Sequence, residues 1–264
     1  MSTASASPPR SALLASWASA WLAGDASLPE LVSRVTTYDN GHVVEGLAVD
    51  DLPLDKAVAQ LRAEGVTTMR VVLPVPGDVL GLPSPGPFTR AALSASEGLL
   101  ALHADRTGHG LVPTVTAHGS VYDGTVTTVR WTAYDVPVAV PDLGPWLHDA
   151  EHDLRRGLVE VTDVLQQLDT ARWRVELGDA LHDLRAEARA GIDQDELPGG
   201  YPPRARSVLV QARNLAGVLQ LAGQDLGGAI DSQTAATREQ ALAELERLVR
   251  RARVAAYNSY GLST

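Results

Sequence analysis

The chain has 264 residues, of which 45% are hydrophobic, and its formal net charge is -10. This hydrophobic content suffices for a large buried core, and the acidic balance disfavours binding to nucleic acid or to an anionic membrane. The absence of cysteine excludes disulfides, thiolate catalysis and cysteine metal sites, and it fits a cytoplasmic protein. No glycine motif for phosphate or dinucleotide binding is present.

The N-terminal segment predicts a helical hairpin after a disordered lead of residues 1–9. Apolar residues recur at helical spacing over residues 11–23, and Gly24 ends this helix. A second helix follows from the capping pair Ser27 and Glu30. No segment reaches the roughly 18 apolar residues of a membrane span, so we expect no membrane association.

A strand, a helix and a second strand are predicted next. Residues 42–49 and 66–73 are rich in valine and indicate strands, and residues 51–64 between them are amphipathic. This order and spacing are typical of a right-handed βαβ crossover, so we expect two parallel strands.

A loop after the second strand is the first candidate binding site. Residues 74–87 contain five prolines and three glycines, which indicates one defined loop shape. A helix beginning near Thr89 would point N–H groups towards the carboxyl end of the strand, where ligands of open α/β sheets bind. Asp78, Ser84 and Thr89 are therefore candidate residues for binding a small anionic ligand.

The loop and tail sequences carry a family resemblance. The run LPVPGD with the following GL, the helix TRAALSASEG and the tail AAYN resemble an uncharacterised family of conserved actinobacterial proteins. The resemblance covers nearly the whole chain. It implies an actinobacterial origin and brings no activity, cofactor or catalytic residue.

Residues 111–117 and 125–134 alternate in polarity, which predicts a β-hairpin. The face expected to be buried consists of Leu111, Val115, Val129, Trp131 and Ala133. The opposite, polar face consists of Thr114, Thr116, His118, Thr128, Arg130 and Thr132. We interpret the polar face as the solvated side of the pair. If it binds a polar or anionic ligand instead, Arg130 and His118 are the candidate contacts.

After a proline-containing linker at residues 137–145, the pattern is wholly helical. Four helices are expected, at residues 143–168, 172–190, 204–223 and 232–257. We predict an α+β fold with an N-terminal helical hairpin, a small mixed sheet containing one βαβ unit and a hairpin, and a C-terminal four-helix bundle. Residues 10–140 form the first region and residues 141–264 form the bundle. The sequence is compatible with one core shared by the two regions and with two separate cores.

His148, Glu151 and His152 match the pattern H-x-x-E-H, in which two histidines bind zinc and the glutamate activates water. His182 is the candidate third nitrogen ligand. The apolar stripe of the same helix, however, places His148 and His152 on the solvent side. We therefore interpret the segment as an ordinary solvated helix face, and we expect no metal or cofactor.

Asp78 and Glu97 are a second candidate pair, because two carboxylates can share acid–base chemistry. Asp78 follows a Pro-Gly pair and Glu97 lies near a helix end, so we favour structural roles for both. One basic cluster is interpreted as forming ion pairs along its own helix, and it consists of Arg247, Arg250, Arg251 and Arg253.

The sequence therefore favours a non-catalytic binding or adaptor protein, because the loop has few reactive side chains and the helices carry long apolar stripes. The expected partner is another protein or a second copy of the chain. One alternative is an enzyme or sensor that binds a small anionic metabolite at residues 74–89. The other is a metal-dependent hydrolase at residues 148–152.

Overall fold

The computed structural model describes residues 8–120, 124–140, 146–167, 197–224 and 232–261. The chain divides into two compact units. Unit 1 includes the described residues up to 140 together with residues 197–201 and 260–261. Unit 2 includes residues 146–167 and the helices between residues 202 and 259. No helix in the described ranges is long and apolar enough to cross a membrane.

Unit 1 contains a mixed sheet of six strands. They are β1 (Gly41–Glu45), β2 (Leu52–Pro53), β3 (Thr68–Val72), β4 (Gly98–Leu102), β5 (Gly108–Ser120) and β6 (Gly124–Val136). Their order across the sheet is β2-β1-β6-β5-β4-β3. β1 runs parallel to β6, and every other neighbouring pair is antiparallel. The predicted hairpin is the β5–β6 pair.

The predicted βαβ crossover is wrong. The strands that flank the intervening helix are β1 and β3, and β6, β5 and β4 lie between them in the sheet. The pairing directions make β1 and β3 antiparallel to each other. β6 occupies the place beside β1, while β3 pairs with β4, a strand that the sequence pattern did not separate from the preceding helix.

The described residues of unit 1 form four helices, namely α1 (Arg10–Ala23), α2 (Leu28–Val35), α3 (Leu54–Ala63) and α4 (Pro87–Ala95). The predicted helical hairpin is α1 and α2, and the Ser27 side chain accepts a hydrogen bond from the Glu30 N–H. The sequence predicted one apolar face on α1, but ten of its fourteen residues are buried. Alanine and serine between the larger residues let α1 pack closely against β3, β4, β5 and α2.

The opposite face of the sheet is covered by α4 through Phe88. This ring lies against two glycines of the sheet, Gly98 and Gly110, where a Cβ would come within 3.2 and 2.3 Å of the ring. Phe88 belongs to a buried cluster that includes Val72, Leu82, Ala92, Leu100, Leu102, Val112, Val136 and Val140. The glycines therefore make the space in which α4 packs on β4 and β5.

The C-terminal residues of unit 1 pack on the end of α1. The Tyr260 hydroxyl donates a hydrogen bond to Asp25, and its ring lies edge-on to Tyr201 at 5.2 Å between centroids. Burial and the Asp25 hydrogen bond raise the pKa of Tyr260 to about 12. The phenol therefore stays protonated at physiological pH and keeps this hydrogen bond.

Unit 2 has three described helices, α5 (Leu147–Gln167), α6 (Pro203–Gln224) and α7 (Ser232–Tyr257). α7 packs against both α5 and α6. A Cβ at Gly157 of α5 would lie 2.1 Å from Leu248 of α7, so this glycine permits close approach of the two helices. Leu158 continues the helical spacing of apolar residues in α5, but it is exposed, and Gly157 is the buried residue on this turn. The predicted helix at residues 172–190 lies outside the described residues.

We predict that Gly110→Ala destabilises the protein, because its methyl group would collide with the buried Phe88 ring. Overpacking of this kind costs about 1–3 kcal/mol in the free energy of unfolding. Urea denaturation measures this loss. Gly41→Ala is the matched control, since a Cβ at Gly41 meets nothing within 4 Å. Equal urea midpoints for the two variants would contradict the packing of α4 on β5.

Candidate functional site

The β5–β6 hairpin extends past one of its neighbouring strands. β5 and β6 pair from Gly108↔Val136 to Ser120↔Gly124, whereas β4 pairs with β5 only over residues 108–111. Beyond Leu111, β5 has β6 on one side and no described strand on the other. We call residues 113–119 the β5 overhang. Its outer edge is the candidate functional site.

The β5 overhang is uncharged, and it is exposed beyond Pro113, which is buried. The side chains of residues 114–119 are all exposed, and the sequence of the overhang, PTVTAHG, contains no Asp, Glu, Lys or Arg. The prediction that Leu111, Val129 and Trp131 are buried is confirmed. The same prediction is wrong for Val115, which is 47% exposed and lies beyond the last residue paired with β4, and Ala133 is only partly buried. His118 lies at the far end of the overhang, opposite Val126.

Arg130, on the polar face of the hairpin, is bound by two carboxylates. Its Nη1 donates to Glu45 Oε2 at 3.0 Å and to Asp51 Oδ2 at 2.7 Å. Thr132 Oγ1 donates to Glu45 Oε1 at 2.7 Å. The two carboxylates and one guanidinium carry a formal charge of -1. The cluster therefore offers an anionic ligand less attraction than an arginine without carboxylate partners would.

The other candidate residues, Asp78, Ser84 and Thr89, lie in the loop after β3 and at the start of α4. Asp78 is buried, and its backbone pairs with Val75 across a turn in which Gly77 has φ of 86°. This arrangement, with Pro76 before the glycine, is a type II turn. Ser84 is exposed, and its carbonyl accepts a hydrogen bond from Thr89 Oγ1 at 3.1 Å. The structure thus brings Ser84 and Thr89 together at the start of α4, whereas Arg130 and His118 lie on the hairpin.

A buried chain of hydrogen bonds, which the sequence analysis missed, connects α1 to the sheet. Arg10 donates to both oxygens of Asp39 at 2.9 and 3.1 Å, and Asp39 Oδ2 lies 3.2 Å from His42 Nε2. Trp131 Nε1 lies 3.2 Å from His42 Nδ1. Because an indole nitrogen only donates, His42 Nδ1 accepts and Nε2 carries the proton given to Asp39. The imidazole is neutral, and burial lowers the pKa of His42 despite the Asp39 hydrogen bond.

The Glu97 carboxylate caps the N-terminus of α1. Its Oε2 accepts hydrogen bonds from the Ser11 N–H at 2.9 Å and from Ser11 Oγ at 2.7 Å. A carboxylate at this position complements the unsatisfied N–H groups and the dipole of the helix. The structural role favoured for Glu97 is therefore supported by a specific partner, which lies 86 residues away in the sequence.

A second polar cluster lies where β5 begins. His109 Nε2 is 3.2 Å from Glu64 Oε2, and His109 Nδ1 is 3.5 Å from Asp135 Oδ1. The His103 ring packs edge-on to His109 at 6.5 Å between centroids. Among the described residues, no group of three or more His, Asp or Glu side chains is arranged to hold a metal ion.

The H-x-x-E-H segment begins α5. His148 and His152 are exposed, on the side that the helical pattern predicts. Glu151 is buried and accepts from Arg155 at 2.5 Å, and it lies 3.0 Å from Arg204 Nε on α6. The glutamate is therefore engaged by two guanidinium groups and connects two helices. His182 lies outside the described residues.

These features define a two-unit α+β protein, with a mixed sheet in unit 1 and long helices in unit 2. The chain belongs to the family of Rv1486c-like proteins. The N-terminal domain of that family matches residues 11–146, and its C-terminal domain matches residues 148–254. No solved structure matches the chain.

Relatives along almost the full length are found in mycobacteria. The uncharacterized protein Rv1486c of Mycobacterium tuberculosis (strain ATCC 25618 / H37Rv) is 29% identical over 279 residues, covering 92% of this chain and 94% of the relative. The uncharacterized protein ML1804 of Mycobacterium leprae (strain TN) is 28% identical, with coverages of 93% and 95%. These relatives confirm the resemblance to an uncharacterised actinobacterial family.

We predict that the stability of the protein decreases as the pH falls below about 6.5, the ordinary pKa of histidine, and that His42 contributes to this loss. The pKa of His42 is lowered in the folded state, so the unfolded chain binds the extra proton first. The contribution is complete above that pH and falls by up to about 1.4 kcal/mol per pH unit between the unfolded and folded pKa values.

Urea unfolding of the parent and of His42→Gln at pH 7.5 and pH 5.5 measures this dependence. We expect the variant to lose less stability than the parent on acidification, because it lacks the titrating imidazole. His118→Gln removes an exposed histidine instead and is the control. The same pH dependence in the parent and in His42→Gln would contradict the prediction.

Proposed function

We propose that this protein is a non-catalytic binding protein whose β5 overhang accepts an extended segment of a partner polypeptide. The observation that carries the proposal is the length of β5, which continues past the last residue paired with β4. A strand edge without a neighbour presents N–H and C=O groups to which another strand can add. The partner strand would take the place that β4 leaves.

Pro113 indicates which groups face this edge. A proline has no N–H, so in a strand it occupies a position whose nitrogen points away from the ladder it belongs to. The nitrogen of Pro113 therefore points away from β6. Because orientation alternates along a strand, the N–H groups of Val115, Ala117 and Gly119 also point to the outer edge. These three groups are the donors offered to a partner.

Other edges of the described sheet carry features that disfavour strand addition. β2 is two residues long, includes Pro53 and lies between Asp51 and Asp55. β3 carries Arg70 and packs against α1. Just before β1 begins, the Asn40 N–H donates to the Thr127 C=O, and Asn40 Oδ1 accepts from the Thr127 N–H on β6. Short length, proline and charge are the usual protections against strand addition. The β5 overhang has no charge, and its one proline, Pro113, lies at its first position.

The two alternatives receive less support from the same contacts. For a small anionic metabolite at residues 74–89, Asp78 is buried, and the candidate cation Arg130 lies on the hairpin, where Glu45 and Asp51 bind it. A hydrolase of the H-x-x-E-H type would need Glu151 to activate water, and this carboxylate accepts from Arg155 and lies against Arg204. Both arrangements favour binding through the hairpin backbone over chemistry at these side chains.

We predict that Ala117→Pro abolishes partner binding and leaves the fold intact. The substitution removes one outward N–H but no hydrogen bond to β6. Ala117→Thr keeps that N–H and has high strand propensity, so it is the matched control. In affinity capture from a lysate of the host, the parent and Ala117→Thr should retain a common protein that Ala117→Pro does not. Far-UV circular dichroism confirms folding.

The site of binding is checked by amide hydrogen exchange with the captured protein added back. We expect exchange at Val115 and Ala117 to slow, because their N–H groups enter a new ladder. A partner that binds Ala117→Pro as well as the parent, or that leaves these amides unprotected, would overturn the proposal. Loss of binding by Ala117→Thr as well would also count against it.

A further inference from the structure

We propose that the strand added at the β5 overhang is the β5 overhang of a second copy of this chain, in an antiparallel pair related by a two-fold axis. This inference rests on the proposed function, because it names the occupant of the same edge. The pairing would join two six-stranded sheets into one continuous sheet across the dimer.

Charge limits where a second copy can pair with this chain. The chain has a net charge of -10, so two copies repel each other over most of their surfaces. The overhang residues Pro113 to Gly119 carry no charged side chain. A two-fold axis places a segment opposite itself, and any charge near the axis would then face its own copy. A neutral segment is what this geometry requires.

The register of the pair supports a second copy. The centre of residues 113–119 is Thr116, and an antiparallel pair centred there keeps both strands within the overhang. Val115 then exchanges hydrogen bonds with Ala117 of the other copy, which uses N–H groups already directed outward. Thr116 lies opposite its own copy, and Thr114 lies opposite His118. Threonine pairs and hydroxyl–imidazole pairs are favourable across strands.

The two ends of the overhang limit the length of the pairing. Pro113 offers no N–H at one end, and Gly119 at the other has φ of 131°, which departs from regular strand geometry. The two-fold operation places Pro113 of one copy opposite Gly119 of the other, where the missing side chain leaves room for the ring. Because the two-fold axis uses the same edge of both copies, the contact is isologous, and the assembly closes as a dimer and does not extend into a fibre.

A cross-linking experiment tests this register directly. The chain has no cysteine, so any disulfide must come from an introduced residue. In the proposed pair, Thr116 faces its own copy at a position without ladder hydrogen bonds, where Cα atoms are about 4.5 Å apart. That distance allows a disulfide. We expect Thr116→Cys to form a covalent dimer under mild oxidation, whereas Thr114→Cys, which faces His118, stays monomeric on a denaturing gel.

Sedimentation equilibrium of the parent, Ala117→Thr and Ala117→Pro gives the second measurement. We expect a concentration-dependent dimer for the first two proteins and a dimer dissociation constant raised by about tenfold or more for Ala117→Pro. Ala117→Pro removes two symmetry-related hydrogen bonds from the dimer, and the loss of each raises the dissociation constant a few-fold or more. Equal cross-linking of Thr116→Cys and Thr114→Cys would overturn the register and the inference with it.

A parent protein that remains monomeric at every concentration would also overturn the inference. The proposed function is judged separately, by the heterologous partner that Ala117→Pro fails to capture. If that partner is found while the parent is monomeric, the edge binds another protein and only the second copy is rejected. If neither a partner nor a dimer depends on Ala117, both proposals fail.

Discussion

The thirteen-residue pairing of β5 with β6 determines where the rest of unit 1 lies. Its base is in the core, where Leu111 and Trp131 are almost completely buried. β4 and β1 pair with its two outer sides at different positions along the hairpin. β4 pairs with β5 at residues 108–111, and β1 pairs with β6 at residues 128–132. Because β4 ends earlier than β1, one side of the hairpin is covered further than the other. The open edge is therefore a consequence of how the core is assembled.

The burial of α1 depends on the polar groups near its start. A helix covered on all sides must satisfy its terminal N–H groups inside the protein. Glu97 does so at Ser11, and the adjacent Arg10 is neutralised by Asp39. Asp39 is held in turn by His42, which accepts from Trp131 at the base of the hairpin. The same tryptophan thus contributes both to the apolar core and to the polar chain that anchors α1.

Local patterns in the sequence predicted much of this fold. The Ser27 cap, the alternation of the hairpin and the exposed side of His148 and His152 follow from residues close in sequence. β4 was missed because a short run of buried apolar residues, GLLAL, has no helical or strand period of its own. The order of the strands was missed because it depends on pairing between distant segments, such as β1 with β6.

The candidate site was missed for a related reason. Alternating polarity in Thr114, Val115 and Thr116 predicts a strand but not how far the neighbouring strand extends. Only the position at which β4 ends distinguishes a covered strand from an open edge. The absence of charged side chains on this edge indicates a binding site only once the edge is known to be open. The edge itself carries no charge that could pair with a charged side chain of a partner, so backbone complementarity and symmetry remain as the local physical basis for choosing a partner.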